Sequence, residues 1–290
     1  MYVKEILEFT NVRGNTVTFG GSPFGLVSVE GLGDVEADIQ RQKAPYQDGS
    51  SFIVAELGDR HISMEFIIRG ENYKEVRELR RLLSMSVSPK LGLGTLKYIS
   101  GDGDVKEIEA VAESVPVFPD MEARGERWQR GIINFIAPNP YWRDLNQTSK
   151  PLQSYVGNFK LPMTFPFMLG VSGSRTELYN EGDVPASVQI EIHGPTTNPQ
   201  VINRTTGEYI RINRAIAEDE VLHIDTTSGR QRVEIKRGNE TIPAFGFLDH
   251  NGTLTDFKLD LGENEIEHVA DAGNRNALVT ITWQSMYVGI

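Results

Sequence analysis

The stretch RGIINFIAPNPYWRD, residues 130–144, decides how the chain is divided. Its first part is a short apolar run with the composition of a β-strand. Pro138 and Pro140 follow, and neither can donate a backbone N–H, so a ladder of strand hydrogen bonds ends there. A polar stretch, residues 143–150, comes next, before apolar residues resume near Phe159. The stretch therefore predicts the end of one folded domain and the start of a linker.

The length of the chain agrees with a division in two. Its 290 residues suit two domains of about 140 residues each. We predict an N-terminal domain at residues 1–140, a linker at 141–158 and a C-terminal domain at 159–290. The 28 glycines and 14 prolines are spread along the chain, a spacing typical of short strands and tight turns. The expected fold class is therefore mainly β.

Charge and composition exclude several classes of protein. The 29 basic and 40 acidic residues give a formal charge of −11, and such a surface repels phosphate backbones, so sequence-specific nucleic-acid binding is not expected. The charged start MYVKEILEF is unlike a signal peptide, and no apolar run is long enough to span a membrane. The absence of cysteine excludes disulfides, thiolate metal sites and cysteine nucleophiles. We expect a protein made in the cytoplasm, without membrane insertion.

The first half is predicted to hold strands and one helix. Residues 60–69 alternate apolar and polar side chains, which is typical of a strand with one buried face. Residues 72–86 repeat apolar side chains at helical spacing, and Asn72 with Glu75 forms a capping-box-like start. The glycine-rich segment 20–51 has weak strand signals and is predicted to be a long excursion, and such segments are usually functional or ordered by a partner. Further strands are predicted at residues 2–9, 15–19, 95–100, 105–112 and 126–136. Together they predict a β-sandwich or split-barrel-like domain with one packed helix.

The second half shows strand patterns without a helical signal. Residues 187–193 alternate apolar and polar side chains, and a Gly-Pro pair ends the pattern. Turn residues separate the segments that follow. Strands are predicted at residues 187–193, 200–203, 208–213, 220–225, 231–236, 256–261 and 278–283. Short strands at this spacing predict an antiparallel β-sandwich.

The residue types that catalysis and metal binding need form no recognisable motif. No two histidines have the i,i+2 or i,i+4 spacing that zinc sites favour. The histidines are His61, His193, His223, His250 and His268. The segment GVSGS around Ser172 is one residue out of the nucleophile-elbow pattern and precedes no helix, so it is interpreted as a turn. No catalytic, cofactor-binding or metal-binding residue is predicted, and no cofactor.

Acidic and glycine-rich turns have plainer explanations. Asp102 and Asp104 lie in a glycine turn that lacks the full ligand loop of a calcium site. Glu181 and Asp183 are explained as turn residues between strands. The pair of glycines in residues 92–94 precedes a strand, whereas a nucleotide-binding loop precedes a helix.

Two clusters on the sequence admit both a structural and a binding interpretation. The basic residues of the first half alternate with acids and predict a mixed surface rather than a basic face. They are Lys97, Lys106, Arg124, Arg127 and Arg130. The aromatic residues Phe159, Phe165 and Phe167 favour a core plug at the entrance of the second domain over a carbohydrate platform.

Several of these pieces, taken in order, resemble the phage distal tail protein family. In the first half the resemblance rests on Tyr46-Gln-Asp-Gly49 after a glycine-rich loop, on the single helix after an alternating strand, and on the closing FIAPNPYWRD. In the second half it rests on short motifs along the whole domain: residues 162–167, residues 178–186, His193-Gly-Pro195, Asn203 with Thr206-Gly207-Glu208, and Tyr287-Val-Gly289. The resemblance covers nearly the whole chain. The motifs of the second half are similar to the C-terminal domain in siphovirus-type tails and related prophages.

The resemblance implies a structural protein of the virion without enzymatic activity. It implies a hexameric ring at the tail tip, in which the N-terminal domains form a channel and galectin-like C-terminal sandwiches project outward. It also implies docking on the tail tube protein and contact with a tail-associated fibre or lysin protein and with a receptor-binding protein. A closed ring needs complementary edges, and we expect segment 20–51 to supply one, so its removal is expected to leave folded monomers.

Two other functions stay open from the residues alone. A carbohydrate-binding β-sandwich in host-surface adhesion would present exposed aromatic residues on one sheet face. A hydrolase would use a carboxylate pair, whose required separation exists only in three dimensions.

Overall fold

The computed structural model describes residues 5–152, 174–273 and 277–290. The chain divides into two compact units: unit 1 comprises residues 1–145 and 287–290, and unit 2 comprises residues 146–286. Both units are built from antiparallel strands, which confirms the mainly β prediction. Within the described ranges, no helix is long and apolar enough to cross a membrane.

Unit 1 holds the elements of the first half of the chain. In chain order they are β1 Ile6–Thr10, β2 Thr16–Phe19, β3 Phe24–Glu30, β4 Ala37–Gln42, β5 Ser51–Leu57, β6 Arg60–Arg69, α1 Tyr73–Ser86, a 3-10 turn Pro89–Leu91, β7 Gly94–Ile99, β8 Val105–Ala112, a 3-10 turn Met121–Ala123, β9 Trp128–Ala137 and β10 Trp142–Asp144. The main sheet has the order β2-β1-β7-β8-β9-β6-β3. Its end strands β2 and β3 are joined by residues 20–23 alone, and the Phe19 and Phe24 rings lie 5.9 Å apart. The sheet therefore curls until its two edges approach, as in a split barrel.

Helix α1 packs on this curled sheet as the sequence pattern predicted. Val76 and Leu83 are buried in the core of unit 1. The backbone N–H of Glu75 donates to Asn72 Oδ1 at 3.0 Å, which confirms the cap. The Glu75 carboxylate accepts from the backbone N–H of Glu71 at 2.6 Å, one residue before the donor that a capping box uses.

The structure corrects the prediction for segment 20–51. Strand β3 pairs along β6 in the main sheet, and Phe24 is buried, so the first part of the segment belongs to the core. The strand signal was weak because the register shifts between Leu26 and Ser28, and such a bulge interrupts the alternation of period two. Removing residues 20–51 would therefore delete a core strand, and only β4 and β5 stand outside the main sheet.

The structure also differs from the predicted linker at residues 141–158. Strand β10 pairs with β8 in unit 1, and Trp142 is fully buried there. The prolines at 138 and 140 interrupt the ladder without ending the unit, because the chain resumes pairing two residues later. Residues 287–290, predicted in the C-terminal domain, belong to unit 1.

Unit 2 holds two larger sheets around one core. Its strands are β11 Thr148–Leu152, β12 Ser174–Asn180, β13 Ala186–His193, β14 Thr196–Thr197, β15 Gln200–Asn203, β16 Tyr209–Arg211, β17 Ala215–Ile216, β18 Val221–Asp225, β19 Arg232–Arg237, β20 Glu240–Pro243, β21 Lys258–Leu259, β22 Gly262–Val269 and β23 Leu278–Trp283, with a 3-10 turn Phe245–Phe247. The last strand in chain order is β24 Met286–Tyr287. One sheet has the order β11-β23-β13-β18-β19-β20 and the other β12-β22-β15-β16. Residues of both sheets, such as Ile190 and Ile266, share a single buried cluster. This arrangement confirms an antiparallel sandwich, and its galectin-like detail stays a prediction.

Candidate assembly interface

The most exposed regular element of unit 1 is a hairpin that we call the arm, which consists of β4, β5 and the residues 43–50 between them. Within the described residues, β4 and β5 pair with each other and with no other strand. Every residue of the two strands is exposed except Leu57, which is half-buried. A two-stranded hairpin without a packing partner is marginal in water at best. The arm is therefore a surface that lacks the contacts a stable hairpin needs.

The two faces of the arm differ in polarity. Residues directly opposite in register share a face. The register shifts by one residue between Gln40 and Arg41, so that Gln40 stands opposite Val54 and Arg41 opposite Phe52. One face carries the pairs Ala37↔Leu57, Ile39↔Ala55 and Arg41↔Phe52, and the other carries Asp38↔Glu56, Gln40↔Val54 and Gln42↔Ser51. On the first face Ile39 is 52% exposed and Phe52 67% exposed. Large apolar side chains exposed together mark a protein contact surface.

The arm turns at the motif Tyr46-Gln-Asp-Gly49 that carried part of the family resemblance. Tyr46 is fully exposed and has a φ of 64°, in the left-handed region, as does Gly49 with a φ of 75°. The Gln47 side chain accepts a hydrogen bond from the backbone N–H of Ala44 at 3.0 Å. The turn is thus held by its own side chain.

One buried side chain, Arg60, holds together the base from which the arm extends. We call Arg60 and the backbone segments that it contacts the root of the arm. Arg60, the first residue of β6, is fully buried. Its guanidinium donates to the backbone carbonyl oxygens of Gly31, Leu32, Asp34, Pro140 and Val288. The Nε atom lies 2.7 Å from the Pro140 oxygen and Nη1 lies 2.9 Å from the Gly31 oxygen. The five acceptors come from the segment before the arm, the segment before β10 and the end of the chain, so Arg60 joins all three.

Carbonyl oxygens take the place of water around this cation. Burial lowers the pKa of the Arg60 guanidinium below its ordinary value, and the negative charge of Asp34 opposes that shift. The planar fork of a guanidinium can reach several carbonyls at once, which a lysine ammonium cannot do in the same way. The position therefore requires arginine.

The last residues of the chain complete the root. The Tyr287 hydroxyl donates to Asp144 at 3.1 Å, and the Lys106 ammonium lies 4.5 Å from the centre of the Tyr287 ring. The backbone N–H of Ile290 donates to the Leu32 oxygen at 3.3 Å, and the same oxygen accepts from Trp142 Nε1 at 3.0 Å. An exposed arm thus stands on a rigid base, which reduces the entropy that binding would cost.

The histidines named from the sequence lie apart. In the described part of the chain, no group of three or more His, Asp or Glu side chains could hold a metal ion. His61 and His223 each face one carboxylate, Glu113 at 3.0 Å and Glu191 at 3.1 Å. His193 is half-buried at the end of β13, and His250 is exposed.

His268 differs because it lies in the core of unit 2. It is 1% exposed, and its Nε2 has no hydrogen-bond partner among the described residues. Burial lowers the pKa of His268 from 6.5 to about 4. The unfolded chain therefore takes up the proton first, so stability is complete above pH 6.5 and is lost as the pH falls towards 4.

We expect His268→Leu to remove most of this pH dependence. The shift corresponds to about 3 kcal/mol of lost stability at pH 4 in the wild-type chain. Urea unfolding of the full chain between pH 7 and pH 4 measures it, and the exposed His250→Gln is the matched control. If the stability of the His268→Leu variant falls as steeply between pH 7 and pH 4 as that of the wild type, the prediction is wrong.

The acidic and glycine-rich turns named from the sequence lie between strands or lead into one. Asp102 accepts a hydrogen bond from the Ser100 hydroxyl, and Asp104 pairs with Lys106 at 2.9 Å, both in the turn between β7 and β8. Glu181 and Asp183 lie between β12 and β13, where the Asp183 N–H donates to the Met286 oxygen at 2.8 Å. Residues 92–94 lead into β7. Two interpretations from the sequence fall outside the described residues: the turn around Ser172 and the core plug formed by Phe159, Phe165 and Phe167.

The basic residues of the first half divide differently from the prediction of a mixed surface. Arg124 pairs with Asp120 at 2.8 Å, and Lys106 with Asp144 at 2.9 Å. Arg127 and Arg130, in contrast, line one pocket together with Arg69. Sequence spacing could not show this, because β6 and β9 bring Arg69 beside them through pairing across the sheet.

Solved phage structures share this fold. The crystal structure of the SPP1 Dit (gp 19.1) protein, described as a paradigm of the hub adsorption apparatus in phages that infect Gram-positive bacteria, matches with a TM-score of 0.67 and 11% identity, over 97% of this chain and 98% of that one. A chain of the phage P2 baseplate, in its activated conformation with Ca, matches with a TM-score of 0.56 and 13% identity over the full length of both chains. The corresponding baseplate with Sr gives 0.53 and 13% identity, over 96% of this chain and 97% of that one. No curated protein sequence matches the chain.

Two sequence families match the chain, one after the other. The family described as phage tail protein RIFT-related domain matches residues 12–164, and that described as siphovirus-type tail component, C-terminal domain, matches residues 181–287. The first match spans more than half of the chain and includes α1, the arm and every strand of the curled sheet except β1. With the predicted resemblance thereby confirmed, the chain belongs to the siphovirus-type phage tail component family.

Proposed function

We propose that the protein is a structural, non-catalytic component of the phage tail tip, the distal tail or baseplate hub, and that it acts as a ring of six copies. Unit 1 builds the ring, and the arm supplies a contact between neighbouring copies. The ring joins the tail tube to tail-tip fibre, lysin or receptor-binding proteins. Its place is the tail tip of the virion, after assembly in the host cytoplasm.

The observation that carries this proposal is the exposed apolar face of the arm. Residues such as Ile39 and Phe52 are exposed to water, where apolar side chains are unfavourable, and the hydrogen bonds of the buried Arg60 fix the point from which the arm extends. Because the arm and the surface that receives it are different patches, the contact is head-to-tail, and such contacts close into a ring when the rotation per copy divides the circle. Membership of a tail component family and the shared fold of solved hub and baseplate proteins support the same function.

Deleting the arm tests the proposal. The backbone N–H of Gly58 donates to the Glu36 oxygen at 2.8 Å, so these two residues already lie side by side at the root. Replacing residues 37–57 by a short Gly-Ser turn should therefore leave unit 1 folded, with a melting temperature close to that of the full chain. We expect the deleted chain to be monomeric by light scattering at concentrations where the full chain forms rings.

Paired point variants provide the matched control. Ile39→Ser with Phe52→Ser removes apolar surface from one face of the arm, whereas Gln40→Ser with Val54→Ser changes the opposite face. Ring formation should be lost in the first pair and kept in the second. A six-fold annulus in electron micrographs of the arm-deleted chain, or a full chain that never associates, would refute the proposal.

A binding role of unit 2 is part of the same proposal. Its sandwich would contact receptor-binding parts, with a galectin-like arrangement of sheets. The alternative of carbohydrate-binding in host-surface adhesion predicts that the full chain binds a glycan array. The aromatic residues named for that alternative lie outside the described residues. The exposed apolar face of the arm favours the structural function.

A further inference from the structure

An arginine pocket lies at one end of the strand pair β6–β9. It has a volume of about 480 Å³ and is lined by Ile67, Arg69, Gly70, Arg127, Trp128 and Arg130. Arg69 stands opposite Trp128, and Ile67 opposite Arg130, so these four side chains share the outer face of the sheet. A Cβ atom at Gly25 on the adjacent β3 would lie 3.2 Å from Arg69 Nη1, so the missing side chain leaves room for the guanidinium.

The arginines of this pocket carry uncompensated charge. Within the described residues, none of Arg69, Arg127 and Arg130 forms an ion pair, although the chain has a formal charge of −11. All three are exposed, and the partly buried Ile67 and Trp128 give the pocket an apolar floor. Charge pairs formed against such a floor are screened less than pairs in open solvent. The pocket is therefore suited to carboxylates presented by a partner.

The opposite charge is found at the root of the arm. We call the exposed residues Glu36, Asp38, Glu56 and Asp59 the acidic root. Asp38 and Glu56 lie directly opposite each other in the β4–β5 register, and like charges in that position repel. No basic side chain in the described part of the chain forms an ion pair with any of these four acids. A cationic partner would relieve the repulsion.

One copy cannot bring its own pocket and root together. Strand β6 begins at Arg60, beside the root, and ends at Arg69, beside the pocket. Nine residue steps at about 3.3 Å each separate the two ends by about 30 Å. The two charged patches therefore meet only between different molecules.

We propose that the arginine pocket of one copy binds the acidic root of the next copy in a head-to-tail contact. This inference rests on the proposed ring and adds the residues that set its register. The apolar face of the arm supplies buried area. Asp38 and Glu56 lie on the opposite face, at the base of the arm, and there they fix which part of the neighbour the arm binds, since complementary charge chiefly contributes specificity and association rate. Two different patches on one chain are what a closing heterologous interface requires.

Charge reversal on the full chain tests the contact. The pocket variant carries Arg69→Glu, Arg127→Glu and Arg130→Glu, and the root variant carries Glu36→Lys, Asp38→Lys and Glu56→Lys. Each variant alone should associate about 100-fold more weakly than the wild type in sedimentation velocity. An equimolar mixture should regain assembly, because every acidic pocket then meets a basic root on the other variant.

Matched changes separate this contact from general charge effects. Lys74→Glu, Arg77→Glu and Lys90→Glu change the net charge as much as the pocket variant does, at exposed sites on and after α1. These substitutions should leave assembly unchanged. Circular dichroism of each variant shows whether unit 1 is folded, and the mixture experiment remains decisive because a misfolded variant could not be rescued.

The outcomes also distinguish this inference from the proposed function. If the arm deletion abolishes the ring but the pocket variant still assembles, the ring proposal stands and the pocket contact is wrong. A mixture that stays dissociated overturns the pocket contact as well. If the wild type binds labelled duplex DNA and the pocket variant loses only that binding, the pocket serves phosphate and the inference is overturned.

Discussion

Replacing Arg60 by methionine is expected to lower the free energy of unfolding of unit 1 by about 3–5 kcal/mol, because the substitution leaves several buried carbonyl oxygens without a donor. Methionine fills a similar volume but cannot donate to Gly31, Pro140 or Val288. Each buried acceptor left without a partner costs about 1–3 kcal/mol, and partial access of water reduces the sum. Denaturant unfolding of the full chain measures the change when it is followed by the near-ultraviolet signal of the tryptophans, of which Trp128 and Trp142 lie in unit 1 and Trp283 in unit 2.

Two variants make the Arg60 result specific. Arg69→Met alters the same residue type at the exposed end of the same strand, and it should change stability by less than about 0.5 kcal/mol. Arg60→Lys keeps the charge but loses the planar fork, so it should recover only part of the stability. If Arg60→Met and Arg69→Met lowered the free energy of unfolding equally little, the hydrogen bonds of Arg60 would not be what stabilises the root.

The Arg60 contacts also explain a limit of sequence-based inference. An arginine at the start of an alternating strand is expected at the surface, since charged side chains are rarely buried without a partner. Its five acceptors come from segments as distant as Gly31 and Val288, which only the folded chain brings together. The strand Arg60–Arg69 was predicted with its observed bounds, yet the role of its first residue was not predictable.

Strands with one buried face were predicted well wherever the alternation was intact. The predicted strands at residues 200–203 and 278–283 have the bounds found in the structure. Strand β22, with the sequence GENEIEHV, was missed because its acids conceal the pattern. One of them, Glu267, is 5% exposed and is held by Arg204 at 2.5 Å. An ion pair with an arginine at the surface can thus hold a buried glutamate in a sheet, and the local sequence does not show it.

The candidate interface was only partly visible for a related reason. The segment that contains the arm was expected to contact a partner, but its strands are short, polar on one face and paired only with each other. Only the strand register shows that the polar and the apolar residues of the arm lie on separate faces, as it does for Ile39 opposite Ala55. The same holds for the arginine pocket, since Arg69 and Arg127 are far apart in the sequence.

Phe66→Ala is expected to cost about 3–5 kcal/mol, since it removes a fully buried ring from the centre of unit 1. The Phe66 ring lies 5.5 Å from Phe19 and meets Phe118 edge to face at 6.2 Å. Opposite it in the sheet stands Gly131, where an added Cβ would lie 2.3 Å from the tip of the ring. The ring therefore occupies the space that a side chain at Gly131 would need.

This arrangement predicts that Phe66 and Gly131 are energetically coupled. Gly131→Ala alone should destabilise unit 1 by about 1–3 kcal/mol, because the methyl group displaces a ring that close packing holds in place. In the Phe66→Ala background the same methyl group enters the vacated space, so its cost should vanish. Gly21→Ala, where a Cβ meets no atom within 4 Å, is the control for adding a methyl group to a glycine. Costs that simply add in the double variant, measured by urea unfolding, would show that the sheet shifts to accommodate both residues and that the ring does not set the strand spacing.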